Sequence, residues 1–144
     1  MPDAVLVQRL RPGARLPSRA TEHASGYDLH ACLDGGEVEV GEVPVQVPTG
    51  LAFAVPPGLD AQIRPRSGLA RQGVIGTFGT LDADYRGELL ITLYTTAPGI
   101  VYIVRDGDRI AQLVIARHAD VALVEAEALA ATARGAGGHG STGR

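Results

Sequence analysis

The sequence predicts an all-β domain, a jelly roll or distorted β-barrel with one short helix and a flexible glycine-rich C-terminal arm. Three observations carry this expectation. Nineteen glycines and nine prolines in 144 residues break the chain into short segments rich in β-branched side chains, with turn signals roughly every 8–12 residues. Only one stretch has a helix start and stop. Eight or more short strands with a single small helix fit a barrel or jelly roll and not a repeated βαβ unit.

Strands are expected at residues 5–10, 37–47, 51–55, 61–64, 88–95, 100–104, 110–116 and 121–126. In the second of these, Val38, Val40, Val43, Val45 and Val47 supply the apolar positions. The helix runs from Ser67 as N-cap through Leu69, Ala70 and Arg71 to Gly73 as terminator. Residues 79–88, GTLDADYRGE, read as a β-hairpin, and the alanine-rich residues 128–132 are compatible with a helical turn. Residues 1–133 form the domain. The arm, residues 134–144, reads RGAGGHGSTGR and has too few apolar side chains to pack a core.

Hydrophobic residues make up 45% of the chain and aromatics only 4%, with no Trp, so the core must come from Val, Leu, Ile and Ala. The net charge of −3 and the scattered aromatics argue against nucleic acid as a partner. All 13 basic residues are arginines, whose planar guanidinium forks suit phosphate. No apolar run approaches the roughly 18 residues that cross a bilayer, and the opening lacks a secretory pattern, so a cytoplasmic protein without a membrane partner is expected. The single Cys32 makes no internal disulfide, and no His/Cys/acid spacing suggests zinc.

Four clusters are polar or glycine-rich where a sandwich strand would alternate. They are ASGYDLHA at 24–31, RPRSGLA at 64–70, GTLDADYRGE at 79–88 and GDRIAQLVI at 107–115. In the second, Arg66 and Ser67 stand at the mouth of the short helix. In the arm, glycines let successive N–H groups converge on an anion, with Arg134, Ser141 and Thr142 as further donors. Extended, those eleven residues reach roughly 36–40 Å, enough to close over a site on another subunit.

In this order and spacing, the four clusters and the arm resemble the five motifs of the trimeric dUTPase family, the deoxyuridine triphosphate nucleotidohydrolases. The resemblance covers nearly the whole chain and rests most heavily on PRSGLA and GTLDADYRGE. It implies a jelly-roll homotrimer with three active sites at subunit interfaces. It also implies hydrolysis of dUTP to dUMP and pyrophosphate with Mg²⁺, which limits uracil in DNA and supplies dUMP for dTMP synthesis. Asp82 matches the acid that activates the water attacking the α-phosphorus, a role suited to a side chain ionised at neutral pH. Asp28 matches the acid that holds Mg²⁺ through water. Arg66, Ser67, Gly68 and Gln112 match the phosphate ligands. Tyr85 resembles the ring packed on deoxyribose, where a ribose 2′-hydroxyl would be buried without a partner.

Uracil selection falls to main-chain groups of the 79–90 segment, including Gly79, Leu81 and Leu90. The arm contributes Arg134, His139, Gly140 and Ser141. Asp84 reads as a turn residue, Arg64 and Arg109 as structural or intersubunit ion pairs, and His30 and His118 as surface residues. The chain departs from the family at Gly76, where many bacterial members have Asn, and at His139, where most have Phe. The first implies wholly main-chain base recognition, the second a weaker lid over uracil. Two other readings stay open. A dCTP deaminase, or its bifunctional relative, shares the fold but wants a glutamate proton shuttle after the second motif, where this chain has RSGLA. A nonenzymatic nucleotide-sensing or protein-binding module would keep the pocket without turnover.

Overall fold

A computed structural model describes residues 4–143. Among them are eleven strands and one helix. In chain order these are β1 (Leu6–Arg9), β2 (Gly26–His30), β3 (Glu37–Val40), β4 (Val45–Pro48), β5 (Leu51–Ala54), β6 (Leu59–Arg64), α1 (Ser67–Arg71), β7 (Val74–Gly76), β8 (Gly79–Leu81), β9 (Leu90–Thr95), β10 (Tyr102–Arg105) and β11 (Arg109–Arg117). The strands pair antiparallel in four sheets, ordered β1-β5, β3-β10, β2-β11-β6-β8 and β4-β9-β7. They wrap one core without closing into a continuous barrel, in keeping with the expected jelly roll or distorted barrel.

That core is aliphatic, as the near-absence of aromatics requires. Leu29, Leu51, Ile91, Leu93 and Ile110 are fully buried, with Val40, Val47, Val74 and Val104 between them. Cutting such a leucine back to Ala costs about 2–5 kcal/mol. The period-2 alternation is clearest in β9, where Ile91, Leu93 and Thr95 are buried and Leu90, Thr92 and Tyr94 are not.

Several boundaries differ from expectation for local reasons. The strand expected over 37–47 is two strands in two sheets, because Gly41 and Pro44 interrupt it and a proline has no N–H to give a ladder. The helix begins at its expected cap, one residue early. Arg66 is the N-cap, in extended conformation and without a side-chain cap bond, and Ser67 is the first helical residue. Gly73 ends the helix as expected, at φ +80° with its N–H on the Ala70 carbonyl at 3.0 Å. Strands β2 and β7 were not expected, since both are short and lie in polar or glycine-rich surroundings. The 79–88 hairpin is not a hairpin: β8 pairs with β6, whereas β9 pairs with β4 and β7, so the intervening loop carries the chain from one sheet to another. Residues 121–126 are not a strand and 128–132 are not a helical turn. All of residues 116–136 are exposed, with Leu123 at 96% and Leu129 at 90% of full accessibility.

Candidate active site

Strand β11 builds the site. It is the longest strand, nine residues, and is hydrogen-bonded on both sides, to β2 and β6. This register sets Gln112 opposite Asp28 on one side and Arg64 on the other. A bulge between Arg109 and Ala111 turns Arg109 toward the same place. Beyond Arg64, Pro65 leads into α1, so Arg66, Ser67 and Gly68 arrive beside Gln112.

Together with Ala20, Ala24 and Gly26, these residues line a pocket of about 210 Å³ that also takes in Asp28. Gly26 is required there: a Cβ on it would lie 2.0 Å from Gln112 Oε1. The bare glycine lets the Gln112 side chain cross β2 and donate from Nε2 to the Pro65 carbonyl at 3.0 Å.

Charge in this pocket is arranged around one carboxylate. Asp28 Oδ1 lies 3.7 Å from Arg66 Nε, and Oδ2 lies 3.5 Å from Arg109 Nη1, with the Asp28 side chain 15% exposed. Arg66 also donates from Nη1 to the Arg109 carbonyl at 3.2 Å. Two guanidinium groups around one carboxylate leave a net positive cradle suited to an anion. Arg109, read from sequence as a structural or intersubunit ion pair, makes its ion pair within the chain, to Asp28. His30 is likewise not an ordinary surface residue. It is half-buried, its Nδ1 has no partner, and burial, followed by the nearby Arg15 charge, lowers its pKa from the usual 6.5.

The donor set permits a specific kind of metal binding. Among the described residues no group of three His, Cys, Asp or Glu side chains stands ready to hold an ion. Both Asp28 oxygens already face cations, so a bare divalent ion has no cage here. The residues fit an Mg²⁺ carried by phosphate and water, toward which Asp28 would act as an acceptor through water.

Asp82 and Tyr85 lie elsewhere. Leu81 ends β8 buried against Ala61 of β6, and Asp82, Asp84 and Tyr85 follow on an exposed loop over residues 82–87. The loop is tied by its own bonds. Tyr85 N–H donates to the Asp82 carbonyl at 3.1 Å, and Arg86 Nη1 donates to Ala83 O at 2.6 Å. The Tyr85 hydroxyl donates to the Glu88 carbonyl at 2.9 Å. The Tyr85 ring lies over Gly87, where a Cβ would meet the phenol oxygen at 2.4 Å. Strand β8 is the edge of its sheet, with β6 on one side only, and the Leu81 side chain is in the core. Leu90 opens β9 and is 40% exposed.

The arm residues form a string of tight turns. Arg134 Nε donates to the Gly137 carbonyl at 2.7 Å, and Ser141 N–H to the Gly138 carbonyl at 3.0 Å. His139, at φ +51°, and Gly140, at φ +85°, make the left-handed bends. One chain therefore brings together Asp28, Arg66, Ser67, Gly68 and Gln112, and leaves Asp82, Tyr85 and the arm apart from them.

Comparison with known proteins gives the family. The dUTPase family model matches residues 13–143. The deoxyuridine 5'-triphosphate nucleotidohydrolase of Leptospira interrogans serovar copenhageni is 48% identical over 145 residues, covering 96% of this chain and 98% of its own. That of Syntrophotalea carbinolica is 47% identical over 142 residues, 96% of each chain. Among solved structures, a dUTPase of Staphylococcus bacteriophage 80alpha bound to dUpNHpp shares the fold at a TM-score of 0.86 and 24% identity, covering 99% of this chain and all of its own. The dUTPase of the S. aureus phage phi11, described with a structural Mg(II) ion, superposes at 0.76 with 23% identity, covering 88% of this chain and 98% of its own. On a match of this extent, at nearly half identity to full-length relatives, the chain belongs to the dUTPase family.

Proposed function

We propose that this chain hydrolyses dUTP to dUMP and pyrophosphate, as a homotrimer whose active sites each draw on more than one copy. The observation that carries the shared site is the place of Asp82. It follows Leu81, which pairs with Ala61, and leads away from Arg66, which lies five residues beyond Ala61, past the end of β6 at Arg64. At about 3.3 Å per residue that separation is on the order of 17 Å. An aspartate so placed does not reach a phosphorus held by Arg66 and Gln112 of its own chain, but a second copy can present one.

In the assembled site Arg66, Ser67, Gly68 and Gln112 hold the phosphates. Asp82 of another copy accepts a proton from the water that attacks the α-phosphorus, and the α–β bridging oxygen leaves with pyrophosphate. Mg²⁺, when bound, neutralises charge on the phosphates, and Asp28 holds one of its waters. The free edge of β8 at Gly79 and Leu81, with Leu90, reads O4 and N3–H of uracil through main-chain groups. Cytosine would leave those groups unpaired. Tyr85 covers the face of deoxyribose. Arg134, His139, Gly140 and Ser141 close from the arm and exclude water.

The homotrimer is supported by residues 119–132. Val121, Leu123, Val124 and Leu129 are exposed there, in a stretch that pairs with no strand among the described residues of its own chain. A groove of about 910 Å³ beside β1, floored by Val5, Val7, Tyr27, Phe53, Leu113 and Ile115, offers a neighbour's segment a surface. Among the described residues no helix is long and apolar enough to cross a membrane. We place the enzyme in the cytoplasm, where the buried thiol of Cys32 stays reduced.

Mixing two inactive variants tests the shared site. Asp82→Asn and Arg66→Ala homotrimers, dissociated and reassembled together, should regain about a quarter of wild-type dUTP turnover, because random exchange pairs an intact Asp82 with an intact Arg66 in that share of sites. No recovery in confirmed mixed trimers would place both groups in one chain's site. Pyrophosphate release from dUTP, dCTP, dTTP and UTP, with and without Mg²⁺, should show activity on dUTP only and with the metal. Ammonia release from dCTP would favour the deaminase.

A further inference from the structure

The exposed 82–87 loop has two buried anchors, Leu81 and Leu89, 4% and 5% exposed. Leu89 is pinned from the core side. Its N–H donates to the Leu51 carbonyl at 2.8 Å, and its carbonyl accepts from the fully buried Thr49 hydroxyl at 2.6 Å. Glu88, between this anchor and the loop, is held at both of its ends. Its carbonyl accepts the Tyr85 hydroxyl, and its carboxylate takes a hydrogen bond and ion pair from Arg11 Nη2. Arg11 is 77 residues away in sequence, yet it stands on the same corner, because the Leu10 N–H bonds the Gly50 carbonyl at 2.8 Å. Both side chains are partly shielded, Arg11 34% and Glu88 22% exposed. The Glu88 peptide is thus clamped between the Thr49–Gly50–Leu51 corner and Arg11, and it is the peptide on which the Tyr85 ring hangs.

We propose that Arg11 is a positioning residue for sugar selection: by holding the Glu88 carboxylate it fixes the carbonyl that orients Tyr85, and so sets how strictly the site refuses a ribose. This rests on the reading of Tyr85 as the deoxyribose platform. A half-shielded ion pair near the surface contributes little to stability. Its effect is read in geometry, since a displacement of about 1 Å at a positioning group costs up to 10²-fold in rate. Without Arg11 the Glu88 peptide rotates, the ring tilts from the sugar, and room opens for a 2′-hydroxyl.

The test is the ratio of kcat/KM for dUTP to that for UTP, measured on assembled enzyme with unchanged melting temperature. Arg11→Ala should lower the ratio about tenfold, mainly through a higher KM for dUTP, and Arg11→Lys should keep most of it. Tyr85→Phe, which removes only the hydroxyl, should lower it by a similar factor. In the double variant Arg11→Ala/Tyr85→Phe the two losses should not multiply. The charge swap Arg11→Glu/Glu88→Arg should restore what either single change removes. Equal loss on dUTP and UTP, multiplicative losses, or no recovery in the swap would overturn the proposal. Tyr85→Ala separates the two readings: an unchanged ratio there refutes the sugar platform itself. The clamp is then judged by amide exchange of residues 82–88, which Arg11→Ala should accelerate; unchanged exchange overturns it as well.

Discussion

Gln112 sits inside a four-stranded sheet, with strands hydrogen-bonded on both sides and its side chain laid across a bare glycine. Asp82 sits on an exposed loop held by bonds within the loop and by its two ends. The phosphate pocket is therefore fixed by the long-range ladder of the fold, whereas the hydrolytic group is presented outward on a local turn. The difference teaches how the labour is divided. On the proposed reading, the pocket at Arg66 and Gln112 is built within each folded chain, and turnover waits on a neighbour that brings Asp82 to it.

The comparison breaks most sharply at Asp82. Asp82→Asn should reduce dUTP turnover by about 10²- to 10⁴-fold, the range for loss of a general base, while calorimetry with a non-hydrolysable analogue finds affinity within a few-fold of wild type. Near-normal pyrophosphate release would remove the loop from the chemistry. The next effect in size is at the arm. Removing residues 134–144 should lower kcat/KM on the order of 10²-fold by admitting water to the site, and leave the elution volume of the assembly unchanged. Full activity in the truncated form would show that the arm closes over nothing. The smallest effect sharpens the other side of the comparison. Gly26→Ala puts a Cβ where Gln112 Oε1 now lies. Gln112 should swing away, raising KM for dUTP about tenfold, equivalent to about 1.4 kcal/mol, with kcat and melting temperature little changed.

What sequence reveals here follows the reach of each interaction. The 3.6-residue and two-residue rhythms, together with glycine and proline, are local, so the all-β class, α1 with its Gly73 terminator, and strands such as β9 and β11 were legible. Strand β2 was not, because GYDLH exists as a strand only through its pairing with β11. Residues 121–126 erred in the opposite direction: their valine content suggests a strand, but strand character needs a partner, and none of the described residues pairs with them. The 79–88 segment reads as a hairpin since its turn chemistry is right, and only the destination of β9, in another sheet, shows otherwise. Motif order picked out Asp28, Arg66 and Gln112, whereas Arg109 needed the β11 bulge that brings it to Asp28.

The bare ribbon at residues 119–132 has a consequence for how the protein lives and dies. A run of valine and leucine left in solvent is adhesive, and its first safe harbour is the flank of a sister chain. For the proposed trimer, dilution, more than heat, is then the expected route by which subunits are lost. Activity per chain should accordingly climb with concentration until the ribbon is sheltered.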